Sequence, residues 1–284
     1  LDALNLGKIS VGPPYFEAVF VPLMVPVVFL MVIGPFVRWK NDHLARFMRR
    51  LVPAIAASSV IGFGVAYAVD HVTWRTVLGL ALAAWVLIGS VQLFVTRLAE
   101  RPGAAMAARL RGIPAAWWGM WAAHLGVGIF IIGVTMIGSL ESSLAVRMQD
   151  GQTARLAGYT FTFRGVETVQ GPNYQAARAT LELSRGERRL TTLHPEKRAY
   201  VAHQMPMTQV ALHVRPLRDV YVSIGDQLDA DSWLVNLHHK PFISWIWAGC
   251  VLMALGGILA ATDRRYRRLA ERSAPAAAAA RQPA

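Results

Sequence analysis

The residue best suited to chemistry is His124. It is the one ionisable side chain in the run Pro114–Gly138, which otherwise carries no Asp, Glu, Lys or Arg. A run of this length crosses a bilayer as a helix. An ionisable group inside such a helix is costly and usually serves an ion path, a proton relay, a metal or a cofactor. Helical geometry places Trp117, Met120, Trp121, Val127, Gly128 and Ile131 within about 60° of His124 around the axis, with Gly119, Gly126 and Gly133 on the opposite side. The histidine face thus offers a metal-ligating nitrogen, flat aromatics, a thioether and, one turn on, a glycine gap, which together make a wall for a planar ligand. The glycine stripe suits close packing against a neighbouring helix. A structural reading stands beside this one: a neutral imidazole can bond across a helix pair, and tryptophans mark the membrane interface. The helix alone leaves both open.

The elements that must hold this helix are read from four further apolar runs. Ala18–Val37 is interrupted by Pro22 and Pro26, whose missing N–H groups free backbone carbonyls, so it is expected inside a bundle. Leu51–Val69 and Val77–Val95 flank a short turn and predict a tight helical hairpin, and Phe242–Ala261 gives the fifth span. Basic segments follow the first, third and fifth spans. Placing all three in the cytoplasm gives five alternating crossings, with the N-terminus and residues 138–241 outside.

Those outer residues change character. Tyr159–Phe163, Ala179–Leu183, Arg189–Leu193, Gln209–Val214 and Asp219–Ile224 are enriched in β-branched and aromatic residues and bounded by turn signals such as Arg185-Gly186. They predict a small antiparallel barrel or sandwich. Five of the eight histidines lie here. None has the spacing of a helical metal site, so they read as surface or rim residues, with His238-His239, just before the last span, the least ordinary.

Composition agrees with a membrane protein that has a soluble part: 54% of residues are hydrophobic and 16% charged, against roughly 25% charged in soluble domains. The net charge of +12 comes largely from arginines beside apolar spans, which orients helices and does not point to nucleic acid. The single cysteine, Cys250, excludes an intrachain disulfide, a Cys-x-x-Cys redox pair and a cysteine zinc cluster. No phosphate loop, serine elbow or paired helical carboxylates occur. No signal peptide is visible at Leu1, and the chain is expected to be a piece of a longer protein.

Several strings, taken in order, carry a resemblance. Gly7-Lys-Ile-Ser-Val-Gly-Pro-Pro-Tyr-Phe16 leads into the proline-broken span, Ala123-His-Leu-Gly126 sits in a tryptophan-led span, and Pro195-Glu-Lys-Arg198, Gln204-Met-Pro-Met-Thr208 and Arg218-Asp-Val-Tyr-Val222 follow. From residue 1 to about 270 the chain resembles the last third to half of the CcmF family, the haem-handling membrane subunit of bacterial cytochrome c maturation. The resemblance implies a multi-pass protein of the bacterial inner membrane with its β domain in the periplasm. It implies partners: the haem chaperone CcmE, CcmH and CcmI-like subunits, and apocytochrome c, whose Cys-x-x-Cys-His receives haem. It also implies a b-type haem held between two membrane histidines, one of which His124 matches, and a haem lyase complex of which this chain is part.

The family's tryptophan-rich loop and second membrane histidine lie upstream of what matches. The chain is therefore expected to be a fragment or a split-gene product, to need the upstream part as a partner, and to be inactive alone. The expected organisation is membrane helices in 1–137, a β domain in 138–241, a last helix in 242–262 and a basic, disordered tail in 263–284. Two rival classes remain. One is a scaffold that docks maturation partners with His124 structural, and the other is a transporter, against whose proton-coupled forms the lack of carboxylates in the spans counts.

Overall fold

A computed structural model describes residues 15–36, 44–100, 102–103, 105–201 and 203–263. The Gly7–Pro14 string, the basic residues around Arg38, the arginines after Asp263 and the Ala/Pro-rich tail lie outside the described residues. A π-helical turn, Phe16–Phe20, leads into α1 (Val21–Ile33). Next come α2 (Leu44–Ala68), α3 (Trp74–Ala99), a short α4 (Met106–Arg111), α5 (Ala115–Leu140), ten strands, and α6 (Ile243–Ala261). Among the described residues, five helical segments are long and apolar enough to cross a membrane: Ala18–Phe36, Leu51–Ala68, Trp74–Ala99, Ala115–Leu140 and Ile243–Ala261. The third starts at Trp74, earlier than the apolar run suggests, because the Thr73 hydroxyl accepts from the Thr76 N–H at 3.2 Å and caps it.

The chain divides into two compact units, one of residues 1–132 with 247–284, the other of 133–246. In the first, small residues bring helices together. Gly62 of α2 lies against the Ala81 backbone of α3, and Gly89 of α3 admits Val32 of α1. Trp85 stacks on Phe29 at 5.1 Å and donates its indole N–H to the Phe29 carbonyl at 3.1 Å. Only one side of α1 is covered in this way, through Val28 and Val32, while Leu23, Val27 and Leu30 are exposed. The expectation of a first span enclosed in a bundle is thus met on one side only.

The second unit is a two-sheet sandwich. One sheet has the order β1-β10-β9-β8 (Ser142–Gln149, Ser232–Pro241, Arg218–Asp229, Ala211–His213). The other runs β2-β3-β4-β6-β7 (Thr153–Leu156, Tyr159–Gln170, Tyr174–Arg185, Glu196–Tyr200, His203–Gln209), with β5 (Arg188–Leu193) also on β4. Alternating residues point inward: Phe161, Phe163, Leu181 and Leu183 from one sheet meet Val220, Val222, Ile224, Val235 and Leu237 from the other. Ala157 and Gly158, both at positive φ, make the tight turn between β2 and β3.

Four of the five strand-like runs fall in β3, β4, β5 and β9. The fifth, Gln209–Val214, breaks at Val210 and passes from one sheet to the other, so it contributes to both β7 and β8.

Candidate functional site

The site is built on α5. Its amino end is fixed by a distant group: the Asp263 carboxylate, beyond α6, accepts from the Ala116 N–H at 2.9 Å. An acceptor at a helix N-terminus satisfies an orphan donor and meets the positive end of the helix dipole. Along its length α5 is clasped from two sides. Gly119 and Gly126 face Gly256 and Gly249 of α6 so closely that a Cβ on any of them would strike the opposite backbone. Gly133 lies against the Phe242 carbonyl and Ile246. The glycine stripe read from the sequence is the α6 contact.

The histidine side meets α3. Phe94 lies 5.3 Å from Trp121, 5.8 Å from Trp118 and 6.3 Å from Trp117, ring centroid to centroid. The Trp121 indole N–H donates to the Ser90 carbonyl at 2.9 Å. One turn beyond His124, Gly128 is met by Leu87 and Val86 of α3. This corrects the sequence expectation of a glycine gap open to a planar ligand: Leu87 fills that gap, and the tryptophans expected to form a ligand wall are in contact with Phe94. Leu87, Ser90 and Phe94 carry no local sequence signal for this, since only the helix pairing brings them here.

His124 itself is half-buried. Its Nδ1 lies 2.8 Å from the Met120 carbonyl, one turn back. A carbonyl only accepts, so Nδ1 bears a proton, and in the neutral imidazole the lone pair then resides on Nε2. Nε2 makes no hydrogen bond among the described residues and is not sealed in, because the shielded ring nitrogens lacking a partner are Nδ1 of His238 and of His239. An imidazole that spends one N–H on a backbone carbonyl and presents the other nitrogen has the tautomer and orientation of a metal ligand.

Among the described residues no group of three or more His, Cys, Asp or Glu side chains converges as a cluster that could hold a bare metal ion. A metal that brings its own equatorial donors, as in a porphyrin, asks only for axial ligands.

The β-domain histidines divide. His194 is exposed, while His238 and His239 are half-buried, each with a shielded, unpartnered Nδ1. His238 stacks on Tyr221 at 4.3 Å, and His239 lies 6.0 Å from the Tyr159 ring. Burial pushes both imidazoles below the usual histidine range, helped by Lys240 at His238 and by Arg218 and Arg185 at His239. These two are therefore more than plain rim residues.

Five apolar helices with an all-β sandwich inserted before the last define a polytopic membrane protein. Residues 139–241 match the family model described as the CcmF C-terminal beta-sandwich. The chain is 38% identical to the cytochrome c-type biogenesis protein CcmF of Pseudomonas aeruginosa, over 94% of this chain and 40% of that one. It is 37% identical to CcmF of Escherichia coli, over 93% and 40%, and 40% identical to the cytochrome c-type biogenesis protein ccl1 of Rhodobacter capsulatus, over 92% and 39%.

A solved structure titled Cytochrome c Heme Lyase CcmF shares the fold, with a TM-score of 0.69 at 18% identity, over 88% of this chain and 40% of the other. The chain is thus similar to the C-terminal part of CcmF, and it spans about two fifths of the length of these curated relatives.

Proposed function

We propose that the chain is the C-terminal, haem-handling part of a cytochrome c maturation protein, and that His124 supplies one axial ligand to a b-type haem within the membrane. The observation that carries this reading is the Nδ1 to Met120 carbonyl bond, which leaves Nε2 without a hydrogen bond in a span where an idle polar group would be a cost. When bound, such a haem supplies one-electron chemistry at its iron, with a potential set by axial ligands and burial. His124 would hold the iron of that haem through Nε2, while the Met120 carbonyl fixes the ring and the α3 and α6 contacts keep α5 in place. The second ligand comes from outside this chain.

The resemblance to the relatives supports the rest of the proposal. The protein sits in the bacterial inner membrane with the sandwich in the periplasm. Its partners are the upstream part of the same protein, a CcmE-type haem chaperone, CcmH and CcmI-like subunits and apocytochrome c. Covalent attachment of haem needs that assembly.

One observation favours a second reading, in which His124 is structural and the chain is a scaffold: the tryptophans around it are spent on packing against Phe94 and Ser90. A single experiment separates the two. His124→Gly in the complete protein is expected to abolish or strongly weaken a low-spin haem absorption spectrum, with partial recovery on adding imidazole. An unaltered spectrum would remove His124 as ligand and favour the scaffold.

A further inference from the structure

The sandwich joins its flanking helices through single residues: Glu141 lies between α5 and β1, and Phe242 between β10 and α6. The end of the sandwich at these junctions is therefore the end next to the helix termini. Ser142 pairs with His239 there, and Pro241 with Arg218.

Basic groups collect at this end, and they are treated unequally. Lys240 is neutralised, its Nζ lying 3.1 Å from Glu141. Arg185, at the end of β4, and Arg218, at the start of β9, are not. Their guanidinium carbons lie 5.7 and 6.0 Å from the centre of the Tyr159 ring, and neither makes an ion pair among the described residues. Tyr159, 3% exposed, forms a floor beneath both. His239 beside it registers the uncompensated field. Burial lowers its affinity for a proton, Arg218 and then Arg185 lower it further, and no carboxylate opposes them, whereas Glu141 does so at His238.

The adjoining loop is apolar where it could be polar. Val214 and Leu217 are 59% and 54% exposed, on either side of Arg215 and Pro216. The loop is tied to the foot of α6, because the Trp245 indole N–H donates to the Pro216 carbonyl and the Phe242 N–H to the Leu217 carbonyl, both at 3.1 Å.

We propose that this end of the sandwich binds the phosphate of an anionic membrane phospholipid, with Arg185 and Arg218 gripping the headgroup over Tyr159 and with Val214 and Leu217 entering the acyl boundary. Guanidinium groups match phosphate oxygens two at a time; Arg185 is exposed and open to a ligand, while Arg218 is half-buried, and a half-buried guanidinium without a counter-charge is costly until an anion supplies one. A free phosphate would satisfy the arginines but not the exposed apolar pair beside them. Apolar area plus basic charge, held within a residue or two of helices that enter the bilayer, is the pattern of an interfacial lipid contact. This inference is independent of the haem reading.

The test uses the whole chain in nanodiscs of equal phosphatidylglycerol and phosphatidylcholine, released for native mass spectrometry that counts retained lipids. Wild type is expected to keep phosphatidylglycerol preferentially. R185Q/R218Q should lower that preference by about fivefold per arginine removed, R185K/R218K should retain part of it, and V214S/L217S should weaken it. R147Q removes one positive charge at the far end of β1, from a pair with Asp229, and should change nothing. Millimolar inorganic phosphate should not displace the lipid. Full preference in R185Q/R218Q, an equal loss in R147Q, or displacement by phosphate together with no effect of V214S/L217S would each overturn the proposal.

Discussion

The sandwich and the helical region solve opposite packing problems. In the sandwich, large side chains converge: Phe161, Phe163, Leu181, Leu183, Ile224 and Leu237 form one continuous core, and removal of apolar area from water supplies the driving force. Among the helices the large apolar residues point outward, as Leu23, Val60, Phe63 and Ile258 do, while Gly62, Gly89, Gly119, Gly126, Ser58, Thr76 and Ser90 lie at the contacts. Ser58 and Ser90 return their hydroxyls to the carbonyls of Ala54 and Val86, both at 2.7 Å, so neither hydroxyl is left idle. In a lipid environment burial of apolar area between helices gains little, and close backbone approach does the holding. Deleting volume should therefore break one region, and adding volume the other.

The largest expected effect is a deletion in the sandwich. Phe161→Ala leaves a void between the sheets and should cost about 3–5 kcal/mol. Hydrogen exchange on the whole chain should show faster exchange across both sheets with helix protection retained. Equal loss in α5 and α6 would show that the two regions do not unfold separately.

An addition among the helices comes next. Gly126→Leu must displace the Gly249 carbonyl and Met253, and overpacking of this kind costs about 1–3 kcal/mol. Gly257→Leu, one residue from the contact glycine Gly256, meets nothing within 4 Å and should be neutral. A matching loss of thermal stability in both variants would refute the close-approach account of the α5–α6 contact.

The smallest effect is a pH slope confined to the sandwich. Burial is the main cause holding His213, His238 and His239 below the histidine range. The folded state thus binds fewer protons than the unfolded one, and their contribution is complete above about pH 6.5 and lost as pH falls from there through the folded-state pKa values. The melting temperature of the sandwich should fall between pH 7.5 and 5.5, and His238→Gln with His239→Gln should flatten the slope. An unchanged slope in that double variant would assign the dependence elsewhere.

The spans, the glycine stripe and the isolation of His124 were legible in the sequence because each is written in residues close together along the chain. The β10 strand was not legible. Its pattern, Ser-Trp-Leu-Val-Asn-Leu-His-His-Lys-Pro, looks mixed because the strand lies between β1 and β9 with neighbours on both edges, and its conformation is set by pairing with segments far away in sequence. The filling of the Gly128 gap by Leu87 and the meeting of Arg185 and Arg218 over Tyr159 belong to the same class. Periodicity showed which face of α5 carries His124, but only the fold shows that α3 occupies much of that face.

The Asp263 carboxylate on the Ala116 N–H sets an order of events during biosynthesis. The two residues are 147 apart in sequence, and every residue of the sandwich lies between them. At roughly 5–20 residues per second, the helix that carries His124 has emerged about 7–30 s before its cap exists. During that interval its first turn has an unsatisfied amino end, and the clasp with α6 is absent. The fastening of the His124 helix at its amino end is therefore made only once the sandwich and the final span have both been synthesised, so any event that requires this helix to be held at both ends falls late in the synthesis of this part of the protein.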